Sequence, residues 1–200
     1  MKGCPVFKSA LPWLVLTLLL VAGRVRADFE DGQANHAMRL AIYAVRYTDT
    51  RFLGILQGHV DARNAYAAAF AVSRRVRKLT SALELDGELQ VAGHWGRQDH
   101  WEVNAALMAR WTRFPWSRRL STTIAYGLGP SIALSTPLLE REAHDRTSRR
   151  LVFMPFEITA GTPDRRLEAF LRVHHRSGAF DVISRGGGSN LVGAGVRMHW

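Results

Sequence analysis

Near the carboxyl end the sequence reads RVHHRSGAF, Arg172 to Phe180. His175 and Ser177 stand two apart, a spacing that in an extended chain puts both side chains on one face with Cα atoms about 7 Å apart. At that separation an imidazole reaches a serine oxygen. His175 can then serve as general base and Ser177 as nucleophile, provided that a third group orients the ring. An ester is the natural target. The same residues also suit a plainer role, as polar side chains where a strand leaves hydrocarbon, and spacing alone leaves both readings open. The direction of each side chain decides between them, and that depends on the elements carrying it.

Those elements announce themselves by alternation. In LELDGELQVAGHW, Leu83, Leu85, Gly87, Leu89, Val91, Gly93 and Trp95 share one parity, while Glu84, Asp86, Glu88, Gln90, Ala92 and His94 share the other. A period of two over this length is a strand with one apolar and one polar face. After the turn GRQD the pattern resumes in HWEVNAALMARWTRF, which predicts a hairpin. A soluble lipocalin-type barrel alternates too, with the apolar face inward. The polar face here gathers Glu84, Asp86, Glu88, Glu102 and Arg110, however, and an oily surrounding accepts such a set only when nearly all are paired. Trp95, Trp101 and Trp111 lie at strand ends on the apolar face, where membrane barrels carry aromatic girdles. Apolar outside and polar inside is the simpler sense, with the charged residues as a polar plug.

The same pattern predicts strands over Met38–Thr48, Ala65–Val76, Ser81–Trp95, His100–Arg113, Ser121–Leu134, Leu151–Gly161, Leu167–Ser177 and Asn190–Trp200. The chain is therefore expected to be all-β, an eight-stranded antiparallel transmembrane β-barrel of the bacterial outer membrane, since strands of about 9–11 residues suffice to cross. FLGILQGHV, Phe52–Val60, fits three descriptions: an extension of the first strand, a folded-over loop, or a competitor for a place in the sheet. Val192, Ala194, Val196, Met198 and Trp200 alternate to a terminal aromatic, resembling the signal by which the barrel-assembly machinery recognises outer-membrane chains during biogenesis.

Residues 1–27 read as a secretory signal peptide, with Lys2 and Lys8 ahead of an apolar run from Leu11 to Gly23 and small residues Val25 and Ala27 before a cut at Asp28. Residues 28–200 then form a single barrel domain, exported through the periplasm. Cleavage removes the lone cysteine, Cys4, together with four cations, and lowers the formal charge from +10 to +6. A basic, exported chain suits anionic lipid, and no nucleic-acid partner is expected. The eight histidines lie without metal-ligand spacing, so neither a metal nor a cofactor is expected.

Parity now applies to the opening stretch. Leu167, Ala169, Leu171 and Val173 form the apolar set of the seventh strand, and the same count puts His175 and Ser177 on the lipid-facing wall at its outer end. Asn190 shares the parity of Val192 and Ala194 and faces lipid with them. The triplet His175-Arg176-Ser177, the loop RGGGSN and the alternating last strand resemble the outer-membrane lipid A 3-O-deacylases, the PagL-type, acyloxyacyl hydrolase-like barrels. The resemblance covers about the last forty residues closely and the rest as a general barrel pattern. It implies an eight-stranded barrel whose lipid-facing wall carries a Ser-His-Glu triad that removes the 3-position acyl chain of lipopolysaccharide without a metal.

The sequence departs from that pattern at the acid. Where a carboxylate is expected, at the start of the last strand, stand Ser189 and Asn190. An asparagine amide oxygen can orient an imidazole but does not offset its charge, and Asp181 reaches the site only if its loop folds back. The candidate catalytic set is thus His175, Ser177 and Asn190. The alternative is a non-catalytic outer-membrane barrel that binds lipopolysaccharide or has a structural role. Arg141, Arg146, Arg149 and Arg150, in one external loop, are candidates for holding lipid phosphates.

Overall fold

The computed structural model describes residues 38–144, 146–164, 166–178 and 187–200; the expected leader and Asp181 lie outside them. The strands are β1 (Met38–Thr48), β2 (Ala62–Lys78), β3 (Leu83–Gly96), β4 (His100–Trp111), β5 (Ser121–Ala133), β6 (Arg150–Phe153), β7 (Phe156–Gly161), β8 (Leu167–Ser177) and β9 (Gly188–His199). Two short helices, α1 (Phe52–Leu56) and α2 (Leu138–Ala143), sit in the connections after β1 and β5. All pairings are antiparallel, and β4 pairs with β5 while β1 pairs with β9, so the sheet closes on itself.

The expected sixth strand, Leu151–Gly161, is interrupted at Met154-Pro155 because proline has no N–H for the ladder. The register nevertheless runs through. Gly129 faces Phe153 and Tyr126 faces Phe156 on one side; Phe153 faces Arg176 and Phe156 faces Val173 on the other. Backbone bonds from Gly127 N to Pro155 O (2.9 Å) and from Met154 N to His175 O (2.8 Å) bridge the gap. β6 and β7 are one staved position, and the barrel is eight-stranded. Phe52–Val60 joins no sheet; its first five residues form α1.

Side chains sort by parity in the expected sense. Leu89 and Leu107 are about half exposed on the outer surface, with Ile42, Leu128, Leu171 and Val196, whereas Glu88 and Glu102 are buried. Polar residues inside and an apolar belt outside mark a transmembrane barrel rather than a soluble one. Among the described residues no helix is long and apolar enough to cross a membrane. All three connections at one rim are short, and three of the four at the other are long, which assigns the rim of α1 and α2 to the cell exterior.

The interior is filled rather than hollow. Ala65, Ala67, Ala69 and Ala71 present small side chains from β2, leaving room for Tyr43, Phe170 and long arginines from the facing strands. Glu157 receives hydrogen bonds from Arg110 (2.9 Å), Arg172 (3.1 Å) and Arg197 (2.6 Å), and Arg172 also forks onto Glu88 (2.7 and 2.9 Å). Arg39 and Arg110 share Asp86. The guanidinium of Arg172 lies 4.8 Å from the Tyr43 ring, and that of Arg197 4.9 Å from Phe170. This is the polar plug expected from Glu84, Asp86, Glu88, Glu102 and Arg110, with the balancing cations coming from other strands.

Facing has a measurable consequence. Leu107 is 57% exposed midway along β4. Leu107→Arg is expected to cost about 2–4 kcal/mol in phospholipid bilayers, the penalty for a cation near the membrane midplane. Denaturant titration of the liposome-folded barrel measures it; a cost near zero contradicts lipid exposure of this face.

Candidate active site

His175 comes from β8 and Asn190 from β9, and the register sets them directly opposite one another. His175 Nδ1 lies 2.7 Å from Asn190 Oδ1. The amide nitrogen of Asn190 in turn donates to the carbonyl of Thr50 at 3.1 Å. A backbone carbonyl only accepts, so this contact fixes which end of the amide is oxygen. Oδ1 must then accept from Nδ1–H. The neutral ring carries its proton on Nδ1 and keeps the Nε2 lone pair, the protonation a general base needs.

Ser177 lies two residues beyond His175 on the same half-buried outer face of β8, opposite Gly188. Gly187 and Gly188, which close the external loop, have φ of 87° and 151°. A Cβ at Gly187 would meet Thr147 Oγ1 at 2.7 Å. The described end of RGGGSN is therefore specified backbone, and β9 starts at Gly188, two residues ahead of the expected Asn190.

The outer wall here is roofed by α1. The Phe52 ring lies 5.8 Å from His175, 6.2 Å from Phe156 in a perpendicular arrangement and 6.4 Å from Tyr126. Such edge contacts contribute about 0.5–1.5 kcal/mol each beyond area burial. Between α1 and the wall runs an apolar groove of about 430 Å³, lined by Ile55, Leu56, Ile158, Leu171, Val173 and Ala194 among others. Val173 is one step along the same face from His175. Leu53 remains exposed, so α1 offers its other side to the surroundings.

Sequence reasoning named His175, Ser177 and Asn190 but missed Thr50 and α1. The signal was present, because Phe52, Ile55 and Leu56 follow the i, i+3, i+4 spacing of a helix face. Behind the site, at the barrel mouth, Glu140 of α2 accepts hydrogen bonds from Arg176 (2.7 Å), Ser189 (2.8 Å) and Thr147 (3.1 Å). Burial pushes its carboxyl above the ordinary range, with Arg176 pulling the other way. Ser189 thus faces inward to Glu140, and Asn190 is the residue of that pair that meets His175. Arg141, Arg146 and Arg149 are exposed in the same external connection, and Arg150 is exposed where β6 begins.

No protein-family model matches the sequence, and no curated protein matches it. Among solved structures, the outer membrane enzyme PagL superposes with a TM-score of 0.55 at 13% identity, over 80% of this chain and 98% of that one. Neisserial surface protein A (NspA) does so with a TM-score of 0.48 at 9% identity, over 82% and 97%. The chain has the fold of the eight-stranded outer-membrane barrels.

Proposed function

We propose that this barrel is a lipid A 3-O-deacylase-like esterase acting on acyl chains of lipopolysaccharide, with Ser177 as nucleophile, His175 as base and Asn190 orienting the imidazole. His175 Nε2 takes the Ser177 proton as the oxygen attacks an ester carbonyl, then returns it to the departing sugar oxygen; water releases the acyl group by the same route. The observation that carries this reading is the amide-fixed imidazole on the lipid-facing wall, beside a groove of a size that holds an acyl chain. The exposed arginines of the α2 connection suit the phosphates of the same lipid. PagL is described as an enzyme, which is compatible with catalysis on this fold.

One observation favours the alternative, a barrel that binds lipopolysaccharide without cleaving it. The partner of His175 is an amide, which aligns the ring but adds no negative charge behind the imidazolium. Incubating the refolded protein with lipopolysaccharide and weighing the lipid A separates the two. Loss of one hydroxyacyl chain is the expected result; intact lipid across several acylation patterns would falsify the esterase.

A further inference from the structure

The outer end of the barrel interior holds a second group of side chains that the outer-wall site does not use. His94 and His100 face each other across the β3–β4 hairpin. Their rings are stacked with centroids 4.1 Å apart and planes 13° from parallel. Glu102 enters the same space, its Oε2 lying 3.4 Å from His94 Nε2 and 4.0 Å from His100 Nε2. One donor atom from each residue falls within 4.8 Å of the others, and the three side chains are at most 2% exposed.

These atoms are not satisfied by one another. Both ring nitrogens of His100, Nε2 of His94 and Oε2 of Glu102 make no hydrogen bond. Buried polar atoms are ordinarily paired, so three side chains that each bring an unpaired donor atom within 4.8 Å of the others call for a shared partner. The surroundings indicate its sign. Arg176 approaches Glu102 Oε2 at 3.3 Å, yet its Nη1 pairs with Glu140 and its Nε donates to Ser131. Two carboxylates thus share one guanidinium, so a cation is the partner that fits Glu102 Oε2.

We propose that His94, His100 and Glu102 bind a divalent transition-metal ion of the zinc class inside the outer mouth of the barrel. Two imidazoles and a carboxylate are a donor set that such ions accept, leaving one position for water. Donors bonded to one ion at about 2 Å stand no more than about 4 Å apart, which the two Glu102 distances meet; the imidazoles need only tilt toward each other. Supporting contacts are in place. His174 Nε2 (2.8 Å) and Asn104 Nδ2 (2.6 Å) hold Glu102 by Oε1, leaving Oε2 toward the imidazoles. Gln98, 4% exposed, lies 3.3 Å from His94 Nδ1 by its amide nitrogen while its oxygen is unpaired. Turning that amide over lets the oxygen accept from Nδ1–H and commits His94 Nε2 to the metal. No short sequence motif flags the set, because its members flank a hairpin turn and meet only through register.

The test uses tag-free protein refolded in detergent micelles with zinc, desalted, and measured for metal by elemental analysis. One equivalent is expected. His100→Phe keeps a flat ring against His94 and removes only nitrogens that make no hydrogen bond, so heat-dependent gel mobility should still report a folded barrel. Its zinc affinity should fall by at least about 100-fold, and the tetrahedral absorption bands of the cobalt-loaded protein should vanish. His94→Gln gives the same comparison should the phenylalanine variant misfold. His59→Ala with His144→Ala, both exposed, should change nothing. Absence of stoichiometric zinc in the wild type, undiminished binding in the folded His100→Phe or His94→Gln variants, or loss of binding on removing the exposed pair overturns the proposal.

Discussion

Ser177→Ala is expected to reduce release of hydroxyacyl chains from lipopolysaccharide by on the order of 10⁴–10⁶-fold, the scale on which a serine hydrolase depends on its nucleophile. Ser177 is half-buried on the outer face of β8, where alanine fits, so the folded fraction and heat-dependent gel mobility should not change. Residual activity comparable to wild type would remove Ser177 from the reaction. Asn190 separates orientation from charge. Asn190→Ala frees His175 Nδ1 and should lower kcat by about 100-fold, the lower end of what a positioned base contributes. Asn190→Asp keeps an acceptor for Nδ1–H and adds the missing negative charge, but it sets a carboxylate oxygen against the Thr50 carbonyl, where the amide nitrogen now donates at 3.1 Å. Its kcat should therefore exceed that of Asn190→Ala, while KM rises as α1 loses its tether. An amide suits this position because it accepts from the ring and donates to the first external connection at once.

Glu157→Leu should have the largest effect on stability. The buried carboxylate is the common acceptor of Arg110, Arg172 and Arg197, and its removal leaves three guanidinium groups facing one another in the buried interior. Breaking one buried pair by deleting a single partner costs about 3–5 kcal/mol, so the loss here should reach about 5 kcal/mol or more, comparable to the whole stability of many domains. Most of the variant should fail to acquire the compact gel mobility of the folded barrel. Adding Arg197→Leu should recover part of the loss by removing one unmatched cation. By contrast, Glu142→Ala breaks only the half-exposed pair with Arg97 and should shift stability by less than about 1 kcal/mol. Equal behaviour of the two variants would show that the interior charges are solvated and not paired.

Much of the barrel was legible from alternation. β1 and β8 begin and end where the pattern does, and parity sent His175 and Asn190 outward because the two-residue period tolerates no slip. Other elements ran longer or shorter for physical reasons. β2 spans Ala62–Lys78 rather than Ala65–Val76, its ends being polar extensions beyond the apolar belt, where side-chain alternation fades while backbone pairing continues. The break at Pro155 followed from its missing N–H, yet the register through it could be learned only from both neighbours. Thr50 was invisible because its contribution is a backbone carbonyl, which every residue type possesses.

The proposed site also straddles the seam of the barrel. Thr50 follows the first strand, and Asn190 belongs to the last; β1 and β9 pair from Arg39↔His199 to Thr48↔Asn190, so the contact between them forms at the end of that zipper. Until that seam closes, Asn190 lacks the Thr50 carbonyl that fixes the orientation of its amide. Competence for ester cleavage would thus arrive with completed insertion, which protects lipids met on the way.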